Sequence, residues 1–258
     1  RMNFENANTR AISVGIIGFG AFGKLVACHI TGHFDVFVYD LLPCPIDEAA
    51  SLGVTLTSLA TAASCDIVVV STPVSCCEEI VTSIATCCRP GAVVIDVGSV
   101  KVKPAEIMQR ILPGHVNIVA THPLFGPQSA RNGIKGLKIA ICPIRGNSHR
   151  FLAAFLRKQF GLRIIVTTPQ DHDRELAIVQ GLTHLIAKVL LDMGPMPTRM
   201  TTLSFDLLME AISMVQHDAP EVFEAIEKSN PYALEVRRRF FKLADELNLE
   251  LTNGSNAK

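Results

Sequence analysis

Seven short runs rich in valine and isoleucine set the frame of this chain: AISVGII, DVFVYD, DIVVVS, AVVIDV, VNIVAT, LKIAICP and LRIIVTT. Each is bounded by Gly, Pro or polar residues, and most of the intervening stretches have the length and periodicity of a helix. A strand covered on both faces reads as a continuous apolar run, whereas a half-exposed strand alternates. Runs of the first kind interleaved with helices predict an α/β fold, a doubly wound Rossmann-type parallel sheet, over residues 9–168. After Pro169 the pattern changes. QDHDRELAIVQGLTHLIAKVLLDMG and the segments that follow keep a helical period and show no strand, which predicts an all-helical domain over 169–251; helices after an α/β domain often form a substrate or dimerisation domain.

Composition narrows the partners. Of 258 residues, 48% are hydrophobic, enough to bury a substantial core, and 24 Lys and Arg balance 24 Asp and Glu. No net field draws such a chain to nucleic acid or to an anionic membrane, so a small-molecule substrate is the expected partner. No apolar run reaches the roughly 18 residues that a membrane span needs. The opening RMNFENANTR lacks the basic start and apolar middle of a secretory signal, and a cytoplasmic protein is expected. Eight cysteines in a chain of this size read as thiols of a reducing compartment rather than a disulfide framework. The doublets Cys76-Cys77 and Cys87-Cys88 are not a metal site: adjacent helical residues point about 100° apart, and no CxxC spacing occurs.

The turn after the first run carries the clearest chemistry. Gly18-Phe19-Gly20-Ala21-Phe22-Gly23 fits GxGxxG between a strand and a helix. The first glycine allows the tight turn and the second lets a pyrophosphate approach the backbone. The third brings helix and strand close, and the helix N-terminus offers amides to phosphate. Asp40 closes the second run, where a carboxylate accepts from an adenosine ribose and repels a 2′-phosphate, which predicts NAD as cofactor rather than NADP. Ser71-Thr72-Pro73 and Gly98-Ser99-Val100-Lys101 end later runs. In a doubly wound sheet these termini meet at the carboxyl edge, so the nicotinamide and substrate are expected near Thr72 and Ser99.

His122 stands immediately beyond the fifth run, before a loop dense in Gly and Pro. A histidine there suits a general base that takes a hydroxyl proton while hydride leaves, with Ser99 to orient it; a structural hydrogen-bonding role is the alternative. In the helical region Asp173, Ala177, Gln180 and His184 fall on one helix face, either as a polar stripe lining a pocket or as a solvated face. His172 and Lys188 have no evident role.

The ordered set GFGAFG, Asp40, STPV, DVGSVK, THPLFGPQS and HDRELAIVQGLTH resembles the prephenate and arogenate dehydrogenases of tyrosine biosynthesis, and in THPLFGPQS the plant-type arogenate enzymes. The resemblance spans nearly the whole chain and weakens after Gly194. It implies oxidative decarboxylation of a cyclohexadienol, with His122 as base and Ser99 as its hydroxyl partner. His184 takes the place of the second active-site histidine, Gln180 lies one turn earlier, and Ser129 falls where plant-type enzymes touch substrate. A homodimer is expected. The arginine of a GFRD-like segment, which binds the substrate side-chain carboxylate in many bacterial members, has no residue-by-residue match; Arg199, Arg237, Arg238 and Arg239 are the cations nearby. Asp173 stands where an acid accompanies arogenate use, through a charge-assisted hydrogen bond to the side-chain ammonium, so arogenate is slightly preferred. Plant-type enzymes typically favour NADP, and here Asp40 argues for NAD.

Two other functions fit a Rossmann domain followed by helices. One is a reductase of a β-hydroxy acid or an imine, which needs a catalytic lysine in the helix after the sheet; Lys188 sits a turn too late. The other is a non-catalytic NAD-binding sensor, which has no use for His122, Ser99 and the helix stripe together.

Overall fold

A computed structural model describes residues 11–254; the opening RMNFENANTR and the end of the C-terminal tail lie outside the described residues. The described chain gathers into two compact units, one running to Gly98 and resuming over Pro104–Thr168, the other made of Ser99–Lys103 and the chain from Pro169 onward.

The first unit alternates strands and helices: β1 (Ser13–Ile17), α1 (Ala21–Ile30), β2 (Asp35–Tyr39), α2 (Ile46–Ser51), β3 (Thr55–Leu56), α3 (Leu59–Ala63), β4 (Ile67–Val70), a short 3₁₀ turn and α4 (Cys77–Ile84), then β5 (Val93–Asp96). Next come α5 (Val102–Ile111), β6 (Asn117–Pro123), β7 (Lys138–Arg145), α6 (Ser148–Phe160) and β8 (Arg163–Val166). The strands form one sheet in the order β3-β2-β1-β4-β5-β6-β7-β8. All neighbours are parallel except β6 and β7. The order reverses between β1 and β4, which makes the loops after those two strands the switch point of a doubly wound sheet. All seven apolar runs are strands. The eighth, β3, escaped the sequence reading because it is two exposed residues added to the edge of β2.

Central strands are buried throughout, as continuous apolar runs require: Val14, Ile16, Val38, Val68 and Val94 are each at most 4% exposed. Separate apolar clusters fill the faces, one joining β4, β5 and β6 to α4 and α5, another joining β1 and β2 to α1 and α2. Among the described residues no cysteine is in a disulfide and no group of His, Cys, Asp or Glu could hold a metal. Cys77 and Cys88 are buried in the first of those clusters. Burial, with a smaller push from Cys87, raises the Cys88 thiol to about 11, so it packs as a neutral side chain.

The second unit is helical: α7 (Pro169–Asp192), α8 (Leu203–Ser213), α9 (Pro220–Glu224) running into a π-helical turn (Ala225–Ser229), and α10 (Ala233–Gly254). Pro169 opens α7, where its missing N–H costs no intrahelical bond. The face Asp173, Ala177, Gly181 and His184 is buried, against α10 and the π turn. The stripe is therefore not a solvated face. No described helix is long and apolar enough to cross a membrane.

Candidate active site

Around the switch point each glycine of GFGAFG has its own physical reason. Gly18 has φ +96°, and a side chain there would place Cβ 2.5 Å from the Ser71 carbonyl oxygen. A Cβ on Gly23 would lie 2.2 Å from the Gly18 oxygen, so α1 reaches the turn only without one. At Gly20, by contrast, a Cβ would meet nothing within 4 Å. Gly20 is the N-cap of α1 and bonds no amide through a side chain, and no acid occupies the first turn. The helix start is thus open and electropositive, as a phosphate cradle requires. Phe19 is buried, whereas Gly20 and Ala21 are exposed and Phe22 is half-buried.

Asp40 follows β2 and is half-exposed. Its Oδ2 accepts from the Phe19 N–H at 2.5 Å and its Oδ1 from the Leu42 N–H at 2.8 Å. The carboxylate so ties the glycine turn to the end of β2 and keeps acceptor capacity for a ribose hydroxyl. After β4, Ser71 and Thr72 are half-buried and Pro73 is exposed. The Thr72 Oγ1 is buried with no partner, which suits a ligand atom beside the turn. These residues fit a dinucleotide.

His122 corrects the sequence reading in one respect. It lies inside β6, not beyond it, and is 4% exposed. Parallel β5 ends at Asp96, opposite Ala120, but antiparallel β7 pairs on with Thr121, His122 and Pro123, which carries the strand past the end of the apolar run. Ser129 spends its hydroxyl on its own loop: Oγ accepts from the Gly126 N–H at 2.9 Å and lies 3.2 Å from the Gly126 carbonyl.

The remaining candidates belong to the second unit. Ser99 is half-buried and groups with α7 rather than with the sheet. The reason is Asp173, whose Oδ1 accepts from the Lys101 N–H at 2.7 Å and Oδ2 from the Val102 N–H at 2.9 Å. His172 Nδ1 lies 2.8 Å from Oδ1, and Asn230 donates to the Asp173 carbonyl at 2.7 Å. The carboxylate is 0% exposed. The expected direct bond from Asp173 to a ligand ammonium is therefore corrected: backbone amides and His172 hold both oxygens in the interior. His172, without a role in the sequence, is part of this clamp. Lys101, whose burial the sequence did not reveal, is fully enclosed.

His184 also faces its own unit. Its Nδ1 lies 2.9 Å from the Gln180 carbonyl and its Nε2 3.2 Å from Asp218 Oδ2, so both ring nitrogens have partners inside the unit. Gln180 is half-buried with its Oε1 unpartnered. Of the cations, Arg237 is committed to Glu227, with Nη1 2.7 Å from Oε2, while Arg199, Arg238 and Arg239 are exposed. Asp218 and Asn230 were missed because their partners His184 and Asp173 lie 34 and 57 residues away, and Glu227 because Arg237 reaches it from the next helix.

A doubly wound sheet with an open second glycine and an acid after β2, followed along the chain by a helical unit, defines a dinucleotide-binding protein of the Rossmann class. Sequence models agree: that of the prephenate dehydrogenase nucleotide-binding domain matches residues 31–157 and that of the prephenate dehydrogenase dimerization domain matches 168–258. The chain belongs to the prephenate dehydrogenase family. It is 26% identical over 254 residues to arogenate dehydrogenase 1, chloroplastic, of Arabidopsis thaliana, covering 93% of this chain and 39% of that protein. It is likewise 26% identical over 209 residues to the probable arogenate/prephenate dehydrogenase of Methanocaldococcus jannaschii, covering 76% and 46%. The chain thus spans less than half the length of these two relatives. In fold it resembles the crystal structure of prephenate dehydrogenase from A. aeolicus in complex with hydroxyphenyl propionate and NAD+, with a TM-score of 0.76 at 24% identity over 97% of this chain and 94% of that one.

Proposed function

We propose that this protein oxidatively decarboxylates a cyclohexadienol, turning arogenate into tyrosine or prephenate into 4-hydroxyphenylpyruvate, with NAD as hydride acceptor. The observation that carries the reading is the match to both family domains along one chain. The A. aeolicus neighbour, described with NAD+ and a hydroxyphenyl acid, supports the choice of cofactor and ring. Gly18, Gly20 and Gly23 with the α1 amides would hold the pyrophosphate, Asp40 the adenosine ribose, and Ser71-Thr72-Pro73 the nicotinamide end. The bound nicotinamide supplies the hydride acceptor. His122 takes the ring hydroxyl proton and Ser99, its hydroxyl partner, orients the imidazole. Loss of carbon dioxide and aromatisation supply driving force, so these side chains need mainly polarise the hydroxyl and hold geometry. Ser129, Gln180 and His184 contact substrate; for Ser129 and His184 this means exchanging a bond within the protein for one to the ligand.

Arogenate is the preferred substrate in this reading. Asp173 favours its ammonium as a buried negative charge acting through space, in place of the direct bond. The second unit pairs with a second copy, supported by the dimerization-domain match and by exposed Leu203, Leu207, Leu243 and Leu247. A cytoplasmic setting belongs to the same proposal, although the A. thaliana relative is chloroplastic.

The test is a panel of arogenate and prephenate, each with NAD and NADP, followed by nicotinamide absorbance. Turnover is expected with NAD, faster on arogenate. Nucleotide binding without turnover of either substrate would overturn the proposal.

A further inference from the structure

The first unit contains a half-open cavity of about 130 Å³ between the sheet and helices α1 and α6. Phe22, Leu25 and Val26 of α1, Phe155 and Leu156 of α6, and Val97 after β5 contribute to its wall, which presents only apolar atoms. The two polar residues at its edge turn their polar groups aside: Thr121 donates its hydroxyl to the Asp96 carbonyl at 2.8 Å, and His29 Nδ1 lies 2.8 Å from the Leu25 carbonyl. Around it the rings of Phe34, Phe155 and Phe160 pack edge-on or tilted, with Phe155 centred 5.1 Å from Phe34 and 5.4 Å from Phe160.

Protein interiors keep few voids larger than a water molecule, because atoms lining a void lose dispersion contacts on one side. Water in this one finds no polar partner on the wall, so an apolar guest displaces it at little cost. Helix α6 is packed to match: it has no fully buried residue, although Phe151, Leu152, Phe155, Leu156 and Phe160 all face the space. We propose that the cavity is a binding site for a small uncharged molecule built on one apolar ring. Its size points there, since a dry apolar cavity of roughly 150 Å³ accepts benzene. Its chemistry excludes an amino acid or a carboxylic acid, whose charge would be desolvated without a partner. Thr121 and Pro123 line it while His122 between them does not, so strand alternation places the guest on the face of β6 away from His122. The site is therefore separate from the proposed active site and does not rest on that assignment.

The experiment is a fluorine NMR titration of fluorobenzene with the full chain. Saturable one-to-one binding is expected, displaced by toluene and untouched by benzoate, with a rise of a few degrees in Tm at saturation. Leu156→Trp should fill the cavity and abolish binding. The chain has no tryptophan, so blue-shifted indole emission would report that the new ring is buried. Leu152→Phe is the milder filling variant, expected to weaken binding at least tenfold if Leu156→Trp does not fold. Non-saturable partition, or binding unchanged in a folded filled variant, would overturn the proposal, the second by placing fluorobenzene elsewhere.

Discussion

Asp40 and Asp173 each accept two backbone N–H groups, but they do so in different surroundings. Asp40 is half-exposed and bonds Phe19 and Leu42, and its partners lie on the two loops that a doubly wound sheet brings together. Asp173 is fully buried and bonds Lys101 and Val102, 72 and 71 residues away, with His172 against it. The first unit makes its site mostly from backbone, with glycines that bend, open or pack. The second sets paired ionisable side chains within or at the edge of its apolar interior: Asp173 with His172, His184 with Asp218, Glu227 with Arg237. A backbone site gives up little when one side chain changes. A buried charged network loses much, because the partner left behind is desolvated.

His122 is where the first unit departs from that rule, and it gives the largest expected effect. His122→Asn should lower kcat by roughly 10² to 10⁴ if the imidazole is the base. NAD affinity, read by titration calorimetry, should stay within a factor of two or so, because the cradle is built elsewhere from backbone. Equal turnover would leave the first unit without a catalytic side chain.

Next in size is the contrast between the aspartates. Asp173→Asn places an amide NH₂ where two N–H donors and an imidazole converge, and should cost about 2 to 4 kcal/mol in urea unfolding. Asp40→Asn, half in solvent, should cost about 1 kcal/mol or less. Asp173→Asn should also lower the arogenate-to-prephenate ratio of kcat/KM by a few-fold, as loss of a charge acting at a distance does. Equal stability losses would erase the distinction between the units. An unchanged ratio would remove Asp173 from substrate choice.

The same distinction explains what was legible in the sequence. Seven strands were visible because burial on both faces leaves Val and Ile in unbroken runs, and GFGAFG was visible because glycine states a backbone need at a fixed spacing. The end of β6 was not, since the antiparallel pairing of His122 with Ala140 and Pro123 with Ile139 decides how far the strand extends. On α7 the period placed Asp173, Ala177, Gln180 and His184 on one face, but not what each side chain meets. Those partners, Lys101, Asp218 and Asn230, come from segments whose own sequence carries no sign of the contact. Only the folded chain shows that Asp173 is spent on amides.

Two glycine substitutions isolate backbone as the material of the nucleotide site. Gly23→Ala puts a methyl 2.2 Å from the Gly18 oxygen, so it should destabilise the fold by about 2 kcal/mol or more and weaken NAD as a consequence. Gly20→Ala adds the same methyl where no protein atom lies within 4 Å, at φ −68° and ψ −168°, which alanine adopts without strain. Its Tm should match the parent protein within about a degree, yet NAD should bind roughly tenfold more weakly, because the methyl enters the space the second glycine keeps for a pyrophosphate. Thermal unfolding without nucleotide, paired with calorimetry, separates the two glycines. If Gly20→Ala bound NAD as tightly as the parent, the open space above α1 would not be the phosphate cradle, and the first unit would have to hold its nucleotide by side chains, as the second unit holds its charges.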